Sequence, residues 1–415
     1  MQILFIHQNF PGQYRYLSRY FAAHPDWVCY GVGERDNVVR QRGLIHPQVK
    51  LLGYDKPPPV PEGLPGPAAE FTAQLQRATA LTRVLLRQRQ RGLDPDVIAA
   101  HPGWGEHFYL REVFPRAKLL FYFEFFFQPD GPLVGFEPEF PVHFGLASHY
   151  RLKNAPHWVA LDMADAGISP TRWQWSTFPC EYRERIRVIH DGVDTVQVAP
   201  RRAAVVEFPE VRPGLRLTAE DEIITYAVRN LEPSRGFHRF MRALPRLQWE
   251  RPKAIFVVVG GDEVSYVRGH PSGRPWREVL LDEVGDRLDL ERVLFVGRVP
   301  YGKLLDLFSI TSLHLYLTYP FVLSWSVLEA MACEAPVLAS ATPPVEEVIR
   351  DGENGFLFDY FSEDTLVARA VELLEAPELR REVGRQARRF VAEQYDLRSR
   401  CLPAQVALIE SLLGR

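Results

Sequence analysis

Residues 319–340 read YPFVLSWSVLEAMACEAPVLAS, an aromatic and aliphatic run that passes into a helix-like segment and then a short strand. Two serines, Ser324 and Ser326, open the helical part, and APVLAS (335–340) has the brief apolar character of a strand buried in a parallel sheet. Strand, turn, helix and strand in that order form the repeating piece of an α/β sheet. Ser326 and Glu329 stand as S-x-x-E, which predicts a capping box with Ser326 as N-cap and Glu329 bonding back to it. The same geometry has a second use. Free amides at a helix start attract a phosphate, and a carboxylate beside them accepts hydrogen bonds from sugar hydroxyls. The two readings are compatible, and both stand open at this point.

Working outward from this segment, IITYAVR (223–229), AIFVVVGG (254–261), RVLFVGRVP (292–300) and SLHLYLTY (312–319) repeat the apolar-strand pattern, with YGKLLDLFS (301–309) as a helix between them. The first half follows the same rhythm: ILFIH (3–7), a helix over 14–24, WVCYGVG (27–33), DVIAAH (96–101), AKLLFYFEFF (117–126) and RIRVIHDGVD (185–194). Short apolar strands separated by helices predict parallel sheets covered on both faces. The prolines of GYDKPPPVPEGLPGPA (53–68) lack amide donors and restrict their neighbours, which predicts a surface loop. A long helix is expected over 69–92. Arg83, Arg87 and Arg91 would share one of its faces, either as a solvated surface or as a contact for anionic membrane. The stretch 197–222 has no stable period and suits a connection, while 363–375 and 378–396 are strongly helical. The expected organisation is a domain over 1–196, a connection over 197–222, a second domain over 223–390 and a returning helical segment over 391–415.

With 415 residues the chain exceeds one ordinary core, and two domains follow. A net charge of −3 gives no basis for nucleic-acid binding along the chain. Four cysteines, Cys29, Cys180, Cys333 and Cys401, lie far apart with no C-x-x-C pair, which argues against a disulfide scaffold or thiolate zinc site and fits a reducing compartment. Met1 leads straight into a strand-like segment, so no signal peptide is expected, and no apolar run reaches the length of a spanning helix. Metal-binding spacings, the G-x-x-x-x-G-K-S/T loop, the G-x-G-x-x-G fingerprint and the G-x-S-x-G elbow are all missing from the sequence.

Several residues carry possible chemistry. Arg229 ends a strand and Arg235 follows six residues later, a spacing that suits a guanidinium clamp on a diphosphate or two surface cations. Gly260 ends another strand, where it permits either a plain turn or close approach to a ligand. In the first half, Gly12 lies in F-P-G-Q between strand and helix. His101 closes a strand ahead of HPGWGEHFYLREVFP (101–115), in which Trp104 offers a stacking surface and Glu106 an acceptor. Glu124 is a carboxylate among aromatics and needs a partner or an altered protonation state if buried.

Taken in order, these motifs resemble the family 4 retaining glycosyltransferases. RNLEPSRG (229–236) is similar to G-R-L-x-x-x-K-G, HDGVD (190–194) to N-G-V-D, and EAMACEAPVLAS (329–340) to E-A-M-A-x-G-x-P-V-V-A-x, followed by PPVEEVIRDGENGFLF (343–358). The resemblance implies a GT-B fold: two Rossmann-like domains facing across a cleft, with a C-terminal helix crossing back. It implies transfer of a hexosyl unit from a nucleoside-diphosphate sugar to a hydroxyl acceptor, without a metal or other cofactor. By carry-over, Arg229 and Arg235 hold the donor phosphates, with amides near Ser324, Trp325, Ser326 and Val327 beside them. Glu329 takes the ribose, Gly12 and Gly260 approach the donor, and His101 faces the reacting sugar. Trp104, Glu106 and Glu124 fall on the acceptor or sugar side. A cytoplasmic protein, peripheral at most on the inner membrane face, is expected. One departure stands out. Phe321 occupies the place of a glutamate usual in the family, so no protein nucleophile can be carried over. A nucleotide-sugar epimerase and a non-catalytic sugar-nucleotide-binding protein are the rival readings.

Overall fold

The computed structural model describes residues 1–141, 144–265 and 269–414. The chain divides into two compact units, one made of residues 1–191 with 401–415 and the other of residues 192–400.

The first unit is built on seven strands: β1 (Gln2–Ile6), β2 (Val28–Glu34), β3 (Lys50–Tyr54), β4 (Val97–Ala100), β5 (Lys118–Tyr122), β6 (Ala166–Ser169) and β7 (Ile186–Val188). They form one sheet in the order β3-β2-β1-β4-β5-β6-β7, parallel throughout. A parallel strand is covered on both faces, which is why β4 reads VIAA with every residue buried. One face packs Leu4, Ile6, Ile98 and Phe121 beneath the helix Gly66–Arg89. The other packs Ile3, Phe5, Phe10, Leu17 and Phe21 with Val406 and Ile409, which come from the helix Leu402–Leu412 at the far end of the chain.

In the second unit a short antiparallel pair, β8 (Val206–Glu207) and β9 (Arg216–Leu217), precedes a six-stranded sheet. Its strands are β10 (Ile223–Asn230), β11 (Ile255–Gly261), β12 (Val293–Gly297), β13 (Leu313–Tyr316), β14 (Val337–Ser340) and β15 (Phe356–Phe358), again all parallel, in the order β12-β11-β10-β13-β14-β15. Counting only its own strands, each of the two large sheets therefore begins third-second-first-fourth. The direction of winding reverses between its first and fourth strands, and ligands of doubly wound sheets bind beside the carboxyl ends of strands at such a reversal.

The structure changes three expectations of extent. β5 stops at Tyr122, although aromatics continue on both sides of Glu124 through Phe127: the Phe123 amide still donates to the Ile168 carbonyl at 2.7 Å, but side chains take the amides of Phe126 and Phe127. Phe126 N–H donates to Thr177 Oγ1 at 3.0 Å and Phe127 N–H to Asn154 Oδ1 at 2.9 Å. The long helix ends at Arg89, so Arg83 and Arg87 share its face and Arg91 falls in the following turn. Residues 197–222 pack into the second unit, with Val198, Val206, Phe208 and Leu217 buried in its core.

Candidate functional site

In the second unit the candidates gather at the reversal between β10 and β13. The register of β10 against β11 slips between Ala227 and Asn230. Arg229 lies on that irregular end, exposed, and its guanidinium has no hydrogen bond or ion pair among the described residues. Arg235 is buried, 6% exposed. Its Nη1 donates to Thr318 Oγ1 at 3.1 Å and to the Val322 carbonyl at 3.4 Å, and its own carbonyl accepts from the Tyr226 hydroxyl at 2.6 Å. The loop that follows β10 thus meets the loop that follows β13. Glu232, also buried, accepts from the Ser234 hydroxyl at 3.0 Å and the Ser265 amide at 2.8 Å, which fixes the loop carrying Arg235. A Cβ at Gly260 would lie 2.8 Å from Leu231 Cδ2 and 3.2 Å from Val228 Cγ2, so a larger residue there would have to push those side chains aside.

The helix Trp325–Ala332 starts two residues earlier than the S-x-x-E pattern predicts. Ser324 is the N-cap, accepting from the Ser326 amide at 3.4 Å, while the two hydroxyls bond to each other at 2.9 Å. Glu329 does not return to the cap. It accepts from the Tyr301 hydroxyl at 2.7 Å, and burial raises its carboxyl above the ordinary value despite that bond. The capping-box expectation therefore fails: Tyr301, from the helix Tyr301–Ile310, engages the carboxylate that the box needed. The Ser324 amide donates to the Tyr316 hydroxyl at 3.1 Å, and the Val327 amide reaches the Ser324 carbonyl at 3.4 Å. Trp325 is exposed beside them, and Phe321 is buried. Removing the cap hydroxyl in Ser324→Ala should cost about 0.5–2 kcal/mol in urea unfolding, with a smaller loss for Ser326→Ala. Equal losses in the two variants would contradict the assignment of Ser324 as the cap.

The first unit shows a matching arrangement at the reversal between β1 and β4. His7 follows β1 and His101 follows β4, with ring centroids 5.4 Å apart. Trp104 lies 4.6 Å from the His101 ring and 4.9 Å from the His7 ring. His101 Nδ1 accepts from the Gly103 amide at 3.1 Å, so its proton sits on Nε2, which points to Glu124 Oε2 at 3.7 Å. Glu124 Oε1 accepts from Gln13 Nε2 at 3.5 Å. Gly12 has φ +47°, and a Cβ there would lie 2.6 Å from the His7 ring. Only glycine lets the chain turn directly over that imidazole. His7 is held neutral, its pKa lowered first by burial and then by His101. Gly12, His101, Trp104 and Glu124 are thus brought together.

Glu106 is not available to a ligand in this arrangement. It is 1% exposed and takes the Tyr54 hydroxyl at 2.6 Å, with its carboxyl pushed up by burial, because the turn at Gly105 directs it into the unit. His7, Thr318, Glu232 and Tyr301 belong to these clusters and had no local motif to reveal them. Asp191 of HDGVD accepts from the Tyr122 hydroxyl at 2.8 Å.

Two doubly wound parallel units, with the last helix of the chain rejoining the first, constitute the GT-B fold. The family described as "Glycosyl transferase family 4 group" matches residues 27–198, and "Glycosyl transferases group 1" matches residues 213–390. The chain belongs with the GT-B glycosyltransferases related to these two groups. N-acetyl-alpha-D-glucosaminyl L-malate synthase of Bacillus anthracis is 32% identical over 105 residues, covering 25% of this chain and 27% of that protein. GDP-mannose-dependent alpha-(1-6)-phosphatidylinositol monomannoside mannosyltransferase of Mycolicibacterium smegmatis is 26% identical over 261 residues, covering 61% and 63%. The matched region thus spans less than two thirds of these curated relatives' length. Among solved structures, sucrose-phosphate synthase from Thermosynechococcus elongatus superposes with a TM-score of 0.74 at 17% identity, covering 100% of this chain and 99% of that one. Anabaena HepE in complex with UDP gives 0.70 at 15% identity, covering 99% and 100%. At these identities the likeness concerns the fold.

Proposed function

We propose that this chain transfers a hexosyl unit from a nucleoside-diphosphate sugar to an acceptor hydroxyl with retention of configuration. The observation that carries the reading is the meeting of Arg235 with Thr318 and the Val322 carbonyl at the sheet reversal, six residues after the exposed, unpaired Arg229 on the end of β10. Two guanidiniums there neutralise the charge that develops on a departing diphosphate. The amides of Ser326 and Val327 make only long internal bonds of 3.4 Å, which a phosphate oxygen can replace. Glu329, already oriented by Tyr301, accepts from ribose hydroxyls. In the first unit, the Nε2–H of His101 donates to a sugar hydroxyl, with the Gly103 amide at Nδ1 fixing the ring.

Phe321 supplies no nucleophile, so retention proceeds by attack on the face from which the leaving group departs. The bond from the anomeric carbon to the diphosphate oxygen breaks, the bond to the acceptor oxygen forms, and the acceptor proton passes to the diphosphate. No metal ion is required, because the two arginines and the helix amides take the charge. The test is a donor screen by thermal shift, beginning with UDP-sugars and GDP-mannose, followed by mass-resolved transfer to an acceptor mixture. Donor-dependent stabilisation with a product one hexose heavier is expected. The buried Phe321 favours one rival, a non-catalytic sugar-nucleotide-binding protein, which would bind donor and yield no product across the panel.

Among the described residues no helix is long and apolar enough to cross a membrane. Peripheral attachment through Arg83 and Arg87 predicts co-sedimentation with anionic vesicles at low salt, lost on reversing both charges to glutamate. A protein that stays in the supernatant at low salt contradicts that attachment.

A further inference from the structure

The first unit contains a cavity of about 880 Å³ that the reading above leaves unused. It opens at the carboxyl ends of β1, β2 and β3, where Gln8, Glu34 and Lys56 follow or end those strands, and the loop from Pro57 to Val60 covers it. Arg77, from the helix Gly66–Arg89, completes the wall. Three charged groups face this space without engaging one another. Glu34 is 8% exposed, and its carboxylate has no hydrogen bond or ion pair among the described residues. The same holds for the side chains of Lys56 and Arg77. A carboxylate so far removed from water without a partner is costly, and nearby cations would ordinarily close on it. Here the cavity keeps them apart.

The position of Glu34 adds a second argument. Glu34 ends β2, at the carboxyl edge beside which ligands of doubly wound sheets bind, and it lines the space such a ligand would fill. The neighbouring Asn37 is locked, its Nδ2 donating to the Gln8 carbonyl at 3.3 Å, and this holds the rim of the cavity in shape. The volume lies within the range of small-molecule sites.

We propose that this cavity binds a polyhydroxylated anion, with Glu34 taking adjacent hydroxyls and Lys56 and Arg77 taking a phosphate or carboxylate on the same molecule. Resting on the glycosyltransferase reading, it names the acceptor class: a sugar or polyol that already bears an acidic group. The ion pair of Arg35 with Asp55, at 2.7 Å, ties the covering loop to the end of β2 and keeps Arg35 from competing for the anion.

Calorimetry on the full chain with D-glucose 6-phosphate, D-gluconate and uncharged D-glucose tests this. Both anions, or the one whose acid group fits, should bind at least about tenfold more tightly than glucose at low salt. The double variant Lys56→Gln/Arg77→Gln should lose that preference. Glu34→Gln should weaken D-glucose 6-phosphate while leaving inorganic phosphate unchanged. Arg229→Ala separates this site from the donor phosphates, because it should abolish nucleoside-diphosphate binding and spare the anion preference. Binding of neither anion at millimolar concentration, equal binding of glucose, or a preference lost in Arg229→Ala but kept in the double variant would each overturn the assignment. Nucleoside-diphosphate binding by the parent protein is read independently, so the donor reading and this one fail separately.

Discussion

Arg229→Ala should lower kcat/KM for the donor by about 10²–10³ while leaving thermal stability within about 0.5 kcal/mol of the parent. The asymmetry follows from the environment. Arg229 is exposed and engages no described residue, so its removal breaks nothing in the resting fold. Its guanidinium has value only when a diphosphate is present, and most when the leaving group gathers negative charge. Arg235 differs. It is buried against Thr318 and the Val322 carbonyl, and Arg235→Ala strips two acceptors of their donor, so it should reduce both turnover and stability. Steady-state kinetics at limiting donor, paired with thermal melts, separates the two cases. Unchanged turnover in purified Arg229→Ala would remove the diphosphate clamp and the mechanism that rests on it.

The second large effect is a loss of stability in mild acid. Burial holds His107 and His157 down at about 3, and His190 and His314 at about 4, against an unfolded value of 6.5. The structure explains why they stay neutral. His107 Nε2–H donates to the Pro156 carbonyl at 2.8 Å, and the other nitrogen of that ring is buried without an acceptor, as is Nδ1 of His157. Below pH 6.5 the unfolded chain binds protons that the folded chain refuses. Stability is therefore full above 6.5 and declines as pH falls toward 4, by up to about 1.4 kcal/mol per pH unit for each histidine. Glu106 and Glu329 oppose this, because burial raises their carboxyls above 4.5 and the folded state takes up those protons first. Two carboxyls do not offset four histidines. Melting temperature should fall steeply between pH 6.5 and 4.5, and the first unit, which holds three of the four, should lose structure first. A flat melting temperature across that interval would show that these rings are protonated in the native protein.

What could be read from the residues alone was local. The helix Glu363–Glu375 has the bounds expected of EDTLVARAVELLE, because helix formers run unbroken from the Ser362 cap. Interior strands such as β10 and β11 announce themselves as apolar runs, since both faces are covered. β15 is three residues long, too short for any period to register. The strand order in each sheet had no signature either, because pairing of β1 with β4 joins segments that sequence keeps far apart. The site divides along the same line. Arg229, Arg235 and Glu329 sit in recognisable motifs, but Thr318 and Tyr301 matter only through distant partners. The S-x-x-E pattern points to Ser326 as the cap for the same reason: it is local, and the hydroxyl that engages Glu329 comes from another helix. Glu106 looked ligand-facing beside Trp104 until the turn at Gly105 sent it inward to Tyr54.

The helix Leu402–Leu412 belongs to the unit that the chain begins, not the one it has just left. Ile409 is fully enclosed among Ile3, Phe5 and their neighbours, and Gln405 donates to the His190 carbonyl at 3.1 Å. Until residues 402–412 dock, then, that face of the amino-terminal sheet stays uncovered, and the first unit closes only after the chain of the second has been made. A chain cut back to end at Arg400 should hold a protease-resistant second unit joined to a first unit that is open to digestion.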